Sequence, residues 1–332
     1  MRAAILRSFG APLELGDVAE PRPGPDEALV EVRAVGLCGT DLKILGGLMD
    51  GTPLPLVPGH EIAGVVAAGG GDLAAGARVA CYGYDPCGTC ERCRAGQDTL
   101  CADAPHLGFD RDGGLARFIR VPRRNLLPFG PAVPFEAAAV TMDAVLSPWR
   151  ALHTVAGLRS GERLAIAGGG GLGLNGLQVA RGLGAAVAVL EPAAARREQA
   201  LELGAELAVA PEEAGQVAEW SGGGVDVGFE ASGARGGLDA LVASVRPGGR
   251  IVCCGYRPGQ EFGLDSRRLV LGEIALLGSR NGSREDARAA LGAVEAGTIV
   301  PLIGERRPLE EVNEGMDLLR GGEVPGRVVI LV

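Results

Sequence analysis

The sequence predicts a two-domain protein. A doubly wound, parallel α/β sheet fills the middle of the chain, and a β-rich domain precedes it. Three observations carry this. The chain has 332 residues, and domains usually run to about 100–200 residues. From Gly161 to about Gly278, apolar runs alternate with helical stretches, which is the pattern of a parallel sheet covered on both faces. Between the first of these strands and its helix lies a glycine-rich turn at 168–173.

Each element of the middle region has its own signal. Arg163 to Ala167 reads as a buried strand and Leu172 to Leu183 as a helix. Ala186 to Leu190 is the next strand and Ala193 to Leu203 the next helix. Val225 to Glu230 is a strand. Leu238 to Val245 is a helix that Pro247-Gly248-Gly249 should stop. Arg250 to Gly255 and Ile274 to Gly278 complete the strands.

Before this region the strands are short and punctuated by Pro and Gly: Ala28 to Gly36, Glu61 to Ala67 and Ala77 to Cys81. The character changes near Ser147-Pro148. After the sheet come helices at Arg284 to Ala296 and Leu309 to Leu319, then a strand at Val328 to Val332. These have no place in the middle sheet, so they are expected to pack back on the first domain.

Composition narrows the function classes. Hydrophobic residues make up 47% of the chain, enough for a sizeable core, but aromatics are only 4%, so that core is mostly Ala, Val, Leu and Ile. Net charge is −9 and Lys43 is the sole lysine. Without a clustered basic patch, nucleic-acid binding is disfavoured. No apolar run approaches about 18 residues, so no membrane span is expected. The start of the chain does not read as a signal peptide. Cysteines beside other ligand-type residues then fit a reducing compartment and metal binding better than disulfides.

The turn contains G-x-G-x-x-G at Gly168, Gly170 and Gly173, directly after a strand. The first glycine permits the tight turn, the second lets the backbone approach a pyrophosphate, and the third lets helix and strand pack closely. Gly171 and Leu172 open the helix and offer unpaired N–H groups to phosphate. Glu191 ends the second strand, eighteen residues after Gly173. That is near the offset of about 20 expected for an acidic ribose ligand, which favours NAD over NADP. Arg196 and Arg197 follow closely and weaken that preference. Arg196 joins the candidate coenzyme contacts.

Cys87, Cys90, Cys93 and Cys101 form the pattern C-x2-C-x2-C-x7-C. Four thiolates this close need a cation, and zinc takes four sulfurs at about 2.3 Å in a closed, structural site. Chemistry must then lie elsewhere. Cys38, in Gly36-Leu37-Cys38-Gly39-Thr40-Asp41, and His60, in Pro58-Gly59-His60-Glu61, are further ligand types. Alone they read as well as a small core residue and a hydrogen-bonded loop residue.

These motifs, in this order, with the closing Gly326-Arg327-Val328-Val329, resemble the zinc-dependent medium-chain alcohol/polyol dehydrogenase family over essentially the whole chain. The resemblance implies a partly open, GroES-like β-barrel catalytic domain from residues 1–146 and 281–332. A structural-zinc lobe at about 84–104 belongs to it. A doubly wound parallel Rossmann domain at 147–280 is inserted. It implies two zinc ions per chain and NAD, with NADP disfavoured. Cys38 and His60 are expected to hold catalytic zinc, with Glu61 close behind or exchanging as a ligand. Asp143 stands where many members place a third, cysteine ligand, which would make a Cys-His-Asp set. A solvated loop acid is the plain alternative for Asp143.

The implied reaction is hydride transfer between a primary or secondary alcohol and NAD, giving an aldehyde or ketone. Thr40 would bond the substrate oxygen and pass its proton on, while Asp41 holds the loop. Lys43 replaces a relay histidine of some members, and three roles stand open for it: carrying the proton, contacting a phosphate, or leaving the relay to water. Arg327 matches an arginine near the cofactor phosphates. Tyr84, Trp149 and Tyr256 fall near pocket-lining positions. Cys81, Cys253 and Cys254 read as core. A cytoplasmic homodimer or homotetramer is expected, with no membrane or nucleic-acid partner. A polyol or sugar dehydrogenase with the same machinery is the alternative, and a non-catalytic NAD(H)-binding zinc protein is a further one.

Overall fold

The computed structural model describes residues 1–322 and 324–332. The chain divides into two compact units: 1–143 with 283–297 and 301–332, and 144–282 with 298–300.

The first unit is built on a seven-stranded sheet. Its path runs Ile303–Pro308, Arg327–Leu331, Glu27–Leu37, Glu61–Ala68, Arg78–Cys81 and Leu126–Pro128, and Phe118–Pro122 also pairs with Glu27–Leu37. The central strand Glu27–Leu37 is long. One of its edges pairs first with Phe118–Pro122 and then with Arg327–Leu331, while the other pairs with Glu61–Ala68 through two register shifts. Such bulges bend a strand and let a sheet curl. The C-terminal strand therefore returns to the first domain, as expected. The strand Ile303–Pro308 beside it carries no clear alternation in sequence and was not anticipated.

Leu37, Val35, Ile62, Leu115, Val328 and Ile330 lie at the heart of this core, fully or almost fully buried. Fully burying one such side chain is worth about 1.5–3 kcal/mol.

The second unit holds a six-stranded, wholly parallel sheet. Its order is Leu207–Val209, Ala186–Leu190, Arg163–Ala167, Val225–Glu230, Val245–Cys253, Ala275–Gly278. Strand order reverses between Arg163–Ala167 and Val225–Glu230, and ligands of open α/β sheets bind at such a switch point, outside the carboxyl ends of the strands. The helix Gly171–Gly182 packs closely on the sheet, because a Cβ on Gly176 would meet the buried ring of Phe229 at 2.7 Å.

Three expectations need correction. The helix expected at Leu238 to Val245 spans Arg235–Ser244, and Pro247-Gly248-Gly249 lies inside the strand Val245–Cys253 rather than in a turn. The strand is irregular there, with a register shift opposite Val225 to Val227, so its ladder need not be continuous past Pro247. Cys81 is fully buried, but Cys253 and Cys254 are only half-buried, at and just beyond the open end of their strand. Finally, residues 135–155 form a nearly continuous helical run. It widens into π turns at Thr141–Val145 and Arg150–Val155 around Pro148, which has no N–H for an ordinary helical bond. Asp143 sits in the first π turn, so the loop-acid reading of it does not hold.

Candidate active site

Cys38 ends the central strand and caps the next helix, Gly39–Leu45. Its Sγ accepts the Thr40 N–H at 3.3 Å, and the Asp41 carboxylate folds back to accept the Cys38 N–H at 2.8 Å. His60 follows Gly59 (φ +96°), where a Cβ would lie 2.9 Å from Leu115 and Val35 side-chain atoms, so this tight approach needs glycine. His60 Nδ1 meets Asp41 Oδ1 at 3.2 Å, which leaves Nε2 aimed at Cys38 Sγ, 3.2 Å away. Asp41 is fully buried. It fixes both the cysteine loop and the imidazole, the usual way a carboxylate presents a histidine to a metal.

Glu61 faces Gly36 across the sheet, and a Cβ on Gly36 would fall 2.0 Å from Glu61 Oε2. Glycine at 36 therefore makes the space for this carboxylate. Arg327 Nη2 lies 2.9 Å from Glu61 Oε1 and 2.9 Å from Asp143 Oδ2. The contact to Asp143 is a hydrogen bond; the one to Glu61 is an ion pair without hydrogen-bond alignment, and both Glu61 oxygens are buried without a hydrogen-bond donor. Arg327 balances part of this charge, and the carboxylate keeps acceptor sites that a further cation could fill.

The electrostatics agree. Burial, together with Asp143 and Asp41, pushes the Glu61 carboxyl up to about 8 against the pull of Arg327 and His60. Burial pulls the His60 pKa down, but Asp41 and Cys38 more than offset it and hold it well above its ordinary value. Burial likewise opposes the Arg327 charge, and Glu61, Cys38 and Asp143 overcome it. One ligand atom from each of Cys38, His60, Glu61 and Asp143 lies within 4.8 Å of the others. A dication fits this set. The set offers one sulfur, one imidazole nitrogen and two carboxylates, a donor set that zinc takes.

The four-cysteine lobe has a second such set, with all four sulfurs within 4.8 Å of one another. Contacts of 3.8 Å (Cys87–Cys93), 3.5 Å (Cys90–Cys93) and 3.6 Å (Cys101–Cys87) match the edge of about 3.8 Å of a tetrahedron with zinc–sulfur bonds of about 2.3 Å. All four are free thiols. The backbone N–H groups of Cys90 and Cys93 point at Cys87 and Cys90 Sγ. Hydrogen bonds from Thr89 and Cys90 lower the Cys87 thiol to about 6, while burial and the neighbouring sulfurs raise Cys93 to about 12. Without a cation the cluster cannot ionise evenly, which again fits zinc.

In the second unit, a Cβ on Gly173 would lie 1.7 Å from the Gly168 carbonyl, so the third glycine allows the close packing expected of it. Gly168 has φ +102°. A Cβ on Gly170 would meet nothing within 4 Å, and no side chain caps the helix that Gly171 and Leu172 open. This is an open cradle with unsatisfied N–H donors, fit for a pyrophosphate. Glu191 is buried beside it. Its Oε2 accepts the Gly169 N–H at 2.6 Å and its Oε1 the Ala193 N–H at 3.0 Å. Arg197 donates Nη1 to the Glu191 and Pro192 carbonyls, which ties it to the backbone, and the first carbons of Arg196 lie near Gly169.

The comparisons with known proteins follow this geometry. Residues 24–131 match the alcohol dehydrogenase GroES-like domain and residues 171–296 the zinc-binding dehydrogenase domain. An alcohol dehydrogenase of Geobacillus stearothermophilus is 34% identical over 339 residues, covering 100% of both chains. The chain belongs to the zinc-dependent medium-chain dehydrogenase family. An L-threonine 3-dehydrogenase of Pyrococcus horikoshii is 34% identical, over 99% of this chain and 98% of its own. The crystal structure of an NAD-dependent alcohol dehydrogenase superposes with a TM-score of 0.95 at 32% identity, over 100% of both chains. This medium-chain dehydrogenase is thus a zinc-dependent oxidoreductase of alcohols, with a GroES-like and a Rossmann-type domain.

The other anticipated residues fall as follows. Thr40 and Lys43 are half-buried on the helix that Cys38 caps. Arg327, expected beside cofactor phosphates, is the counter-charge of Glu61 and Asp143. Tyr84 is buried and stacks on His106, with ring centroids 4.0 Å apart, and Phe109 lies 5.1 Å from the His60 ring. His106 and Phe109 were not anticipated, since only the fold brings them to His60. Trp149 and Tyr256 belong to the second unit, Trp149 stacked on His153 and Tyr256 46% exposed.

Proposed function

We propose that this dehydrogenase interconverts a primary or secondary alcohol and its aldehyde or ketone with NAD, using Cys38, His60 and Asp143 to hold catalytic zinc. The carrying observation is the mostly buried cluster of those three residues with Glu61, with one ligand atom of each within 4.8 Å of the others. Zinc supplies Lewis acidity that polarises an alcohol or carbonyl oxygen, and NAD supplies the hydride acceptor. Asp41 sets the His60 tautomer through Nδ1. Arg327 keeps Glu61 and Asp143 from repelling each other, with Glu61 held behind the zinc ligands. Thr40, two residues after Cys38, would accept the proton that leaves the alcohol oxygen while passing its own hydroxyl proton on along the relay, and Lys43 stands one helical turn further. Cys87, Cys90, Cys93 and Cys101 hold the structural zinc.

NAD is favoured over NADP because the buried Glu191 carboxylate retains two acceptor sites for ribose hydroxyls and repels a 2′-phosphate. An alcohol panel with either coenzyme tests the reading. Alcohol-dependent NADH formation should stop on chelation of zinc. Glu191→Ala should lower kcat/KM for NAD by about tenfold or more, the worth of a charged hydrogen bond, and narrow the preference over NADP. Unchanged preference would remove Glu191 from the coenzyme site. The similarity to an L-threonine 3-dehydrogenase puts L-threonine in the panel beside simple alcohols and polyols.

A cytoplasmic homo-oligomer is part of the same reading; no described helix is long and apolar enough to cross a membrane. Ala275–Gly278 is the last strand of its sheet and mostly exposed, with Leu276 41%, Val270 67% and Leu271 73% exposed nearby. A second copy covering this apolar edge would remove it from water. Light scattering should give at least a dimer, and Leu271→Asp should shift it toward monomer. A monomeric parent protein would refute the assignment.

A further inference from the structure

At the switch point of the parallel sheet, Glu230 ends the strand Val225–Glu230 and is fully buried. Its carboxylate receives only donors. Oε1 accepts the Ser232 N–H at 2.9 Å, the Ser232 hydroxyl at 2.5 Å and the Gly233 N–H at 3.0 Å, and Oε2 shares the Gly233 N–H at 3.0 Å. Its main-chain carbonyl accepts the N–H groups of Cys254 and Gly255 at 2.9 and 3.0 Å. The next residue, Ala231, donates to the Ala167 carbonyl at 3.0 Å, immediately before the glycine turn. The Glu230 carboxylate thus fixes the Ser232-Gly233 turn, while the main chain of Glu230 and Ala231 joins that turn to the ends of the two neighbouring strands.

The segments meet backbone to backbone. A Cβ on Gly168 would lie 3.0 Å from Ser232 Cβ, one on Gly255 would lie 2.4 Å from the Gly233 N, and one on Gly233 would lie 2.7 Å from the Tyr256 N. Such close packing moves as a block, so slack in the 231–233 loop reaches the glycine turn directly. An ionised carboxylate accepts and does not donate, which suits a ring of donors.

We infer that Glu230 is a positioning residue for the dinucleotide: its carboxylate holds the Ser232-Gly233 turn, which packs against Gly168 of the glycine turn, and so sets the shape of the coenzyme crevice. This rests on the coenzyme reading above. Glu230 need not touch the coenzyme, and the chemical step at the metal cluster does not use it. Its loss therefore weakens coenzyme binding more than it slows turnover at saturation.

The test is calorimetric titration of the zinc-loaded protein with NADH, which returns the dissociation constant and the binding-competent fraction separately. Glu230→Ala should raise the NADH Kd at least about tenfold, the scale of charged hydrogen bonds lost together. Glu230→Gln keeps an oxygen where Oε1 stands and should recover binding to within about threefold of the parent, with Ser232→Ala between the two. In steady state, KM for NAD should rise while kcat holds within about threefold. A merely structural Glu230 would lower the competent fraction and melting temperature but leave the Kd within about twofold, and that result overturns the inference. If Glu230→Ala does not fold, an unchanged Kd in Ser232→Ala overturns it equally. A parent protein that binds no NADH instead sinks the coenzyme assignment itself.

Discussion

Cys38→Ala protein is expected to carry about one zinc per chain where the parent carries about two, and to lose at least about 10³-fold in kcat, because several kcal/mol of Lewis-acid stabilisation goes with the metal. The remaining zinc should be the one in the four-cysteine lobe, whose ligands come from a separate stretch of chain. Asp143→Ala is the sharper variant. Asp143 is partly exposed and bonded to Arg327, whereas Glu61 is fully buried and only ion-paired to the same guanidinium. If Asp143 holds the metal, its loss should also leave about one zinc and a comparable rate defect. About two zincs with substantial activity would mean that Asp143 is dispensable and that Glu61 completes the ligand set. Elemental analysis of chelator-free preparations separates these outcomes without relying on activity.

The same cluster predicts what Asp143→Asn should do. The amide keeps the side-chain volume but removes one negative charge beside Arg327, so the set attracts a dication less strongly. Zinc should then bind more weakly than in the parent and more tightly than in Asp143→Ala. Asn affinity equal to the parent's would show that Asp143 acts through shape and not through charge, and equal affinity in the Asn and Ala variants would show that the retained volume and amide oxygen contribute nothing.

How much of this was legible in the sequence depends on the range of the signal. The glycine turn and the four-cysteine lobe are local: their spacing alone places donors and sulfurs, and the structure finds the open cradle at Gly170 and the tetrahedral sulfur edges. The parallel sheet was legible because its strands are buried on both faces and read as continuous apolar runs. The candidate metal cluster, Cys38 and His60 included, was legible only through family resemblance. Its members come from a strand end, a turn, a π-widened helix and the C-terminal strand, and no spacing rule connects them. Gly36 shows the difficulty well. Its need to be glycine follows from Glu61 standing directly opposite, a cross-strand fact that requires the register. The helical run around Asp143 was hidden by Pro148, whose usual meaning is a break, whereas here the helix widens and continues.

Cys90→Ser is expected to leave catalysis per bound catalytic zinc nearly unchanged while lowering the melting temperature by about 5–10 °C. The lobe has little apolar core of its own: its short helix Glu91–Arg94 buries none of its residues, and Leu100 is 54% exposed. Such a segment is ordered chiefly by its metal, since zinc binding supplies folding free energy where packing does not. Among its links to the rest of the unit is Asp98, buried, accepting the Arg284 N–H at 3.1 Å and lying 3.6 Å from the Arg284 guanidinium at the start of the helix Arg284–Glu295. Losing the metal should therefore release that helix start as well, which is why the effect reaches global stability and does not stop at the lobe. Limited proteolysis should cut the variant within residues 87–101 and spare the zinc-loaded parent. Asp98→Asn keeps the four sulfurs and should show the complementary pattern, with zinc retained and the melting temperature lowered by a smaller amount. A Cys90→Ser protein with unchanged melting temperature and protease resistance would mean that the lobe folds on its backbone contacts alone, and that its zinc contributes little to the stability of this chain.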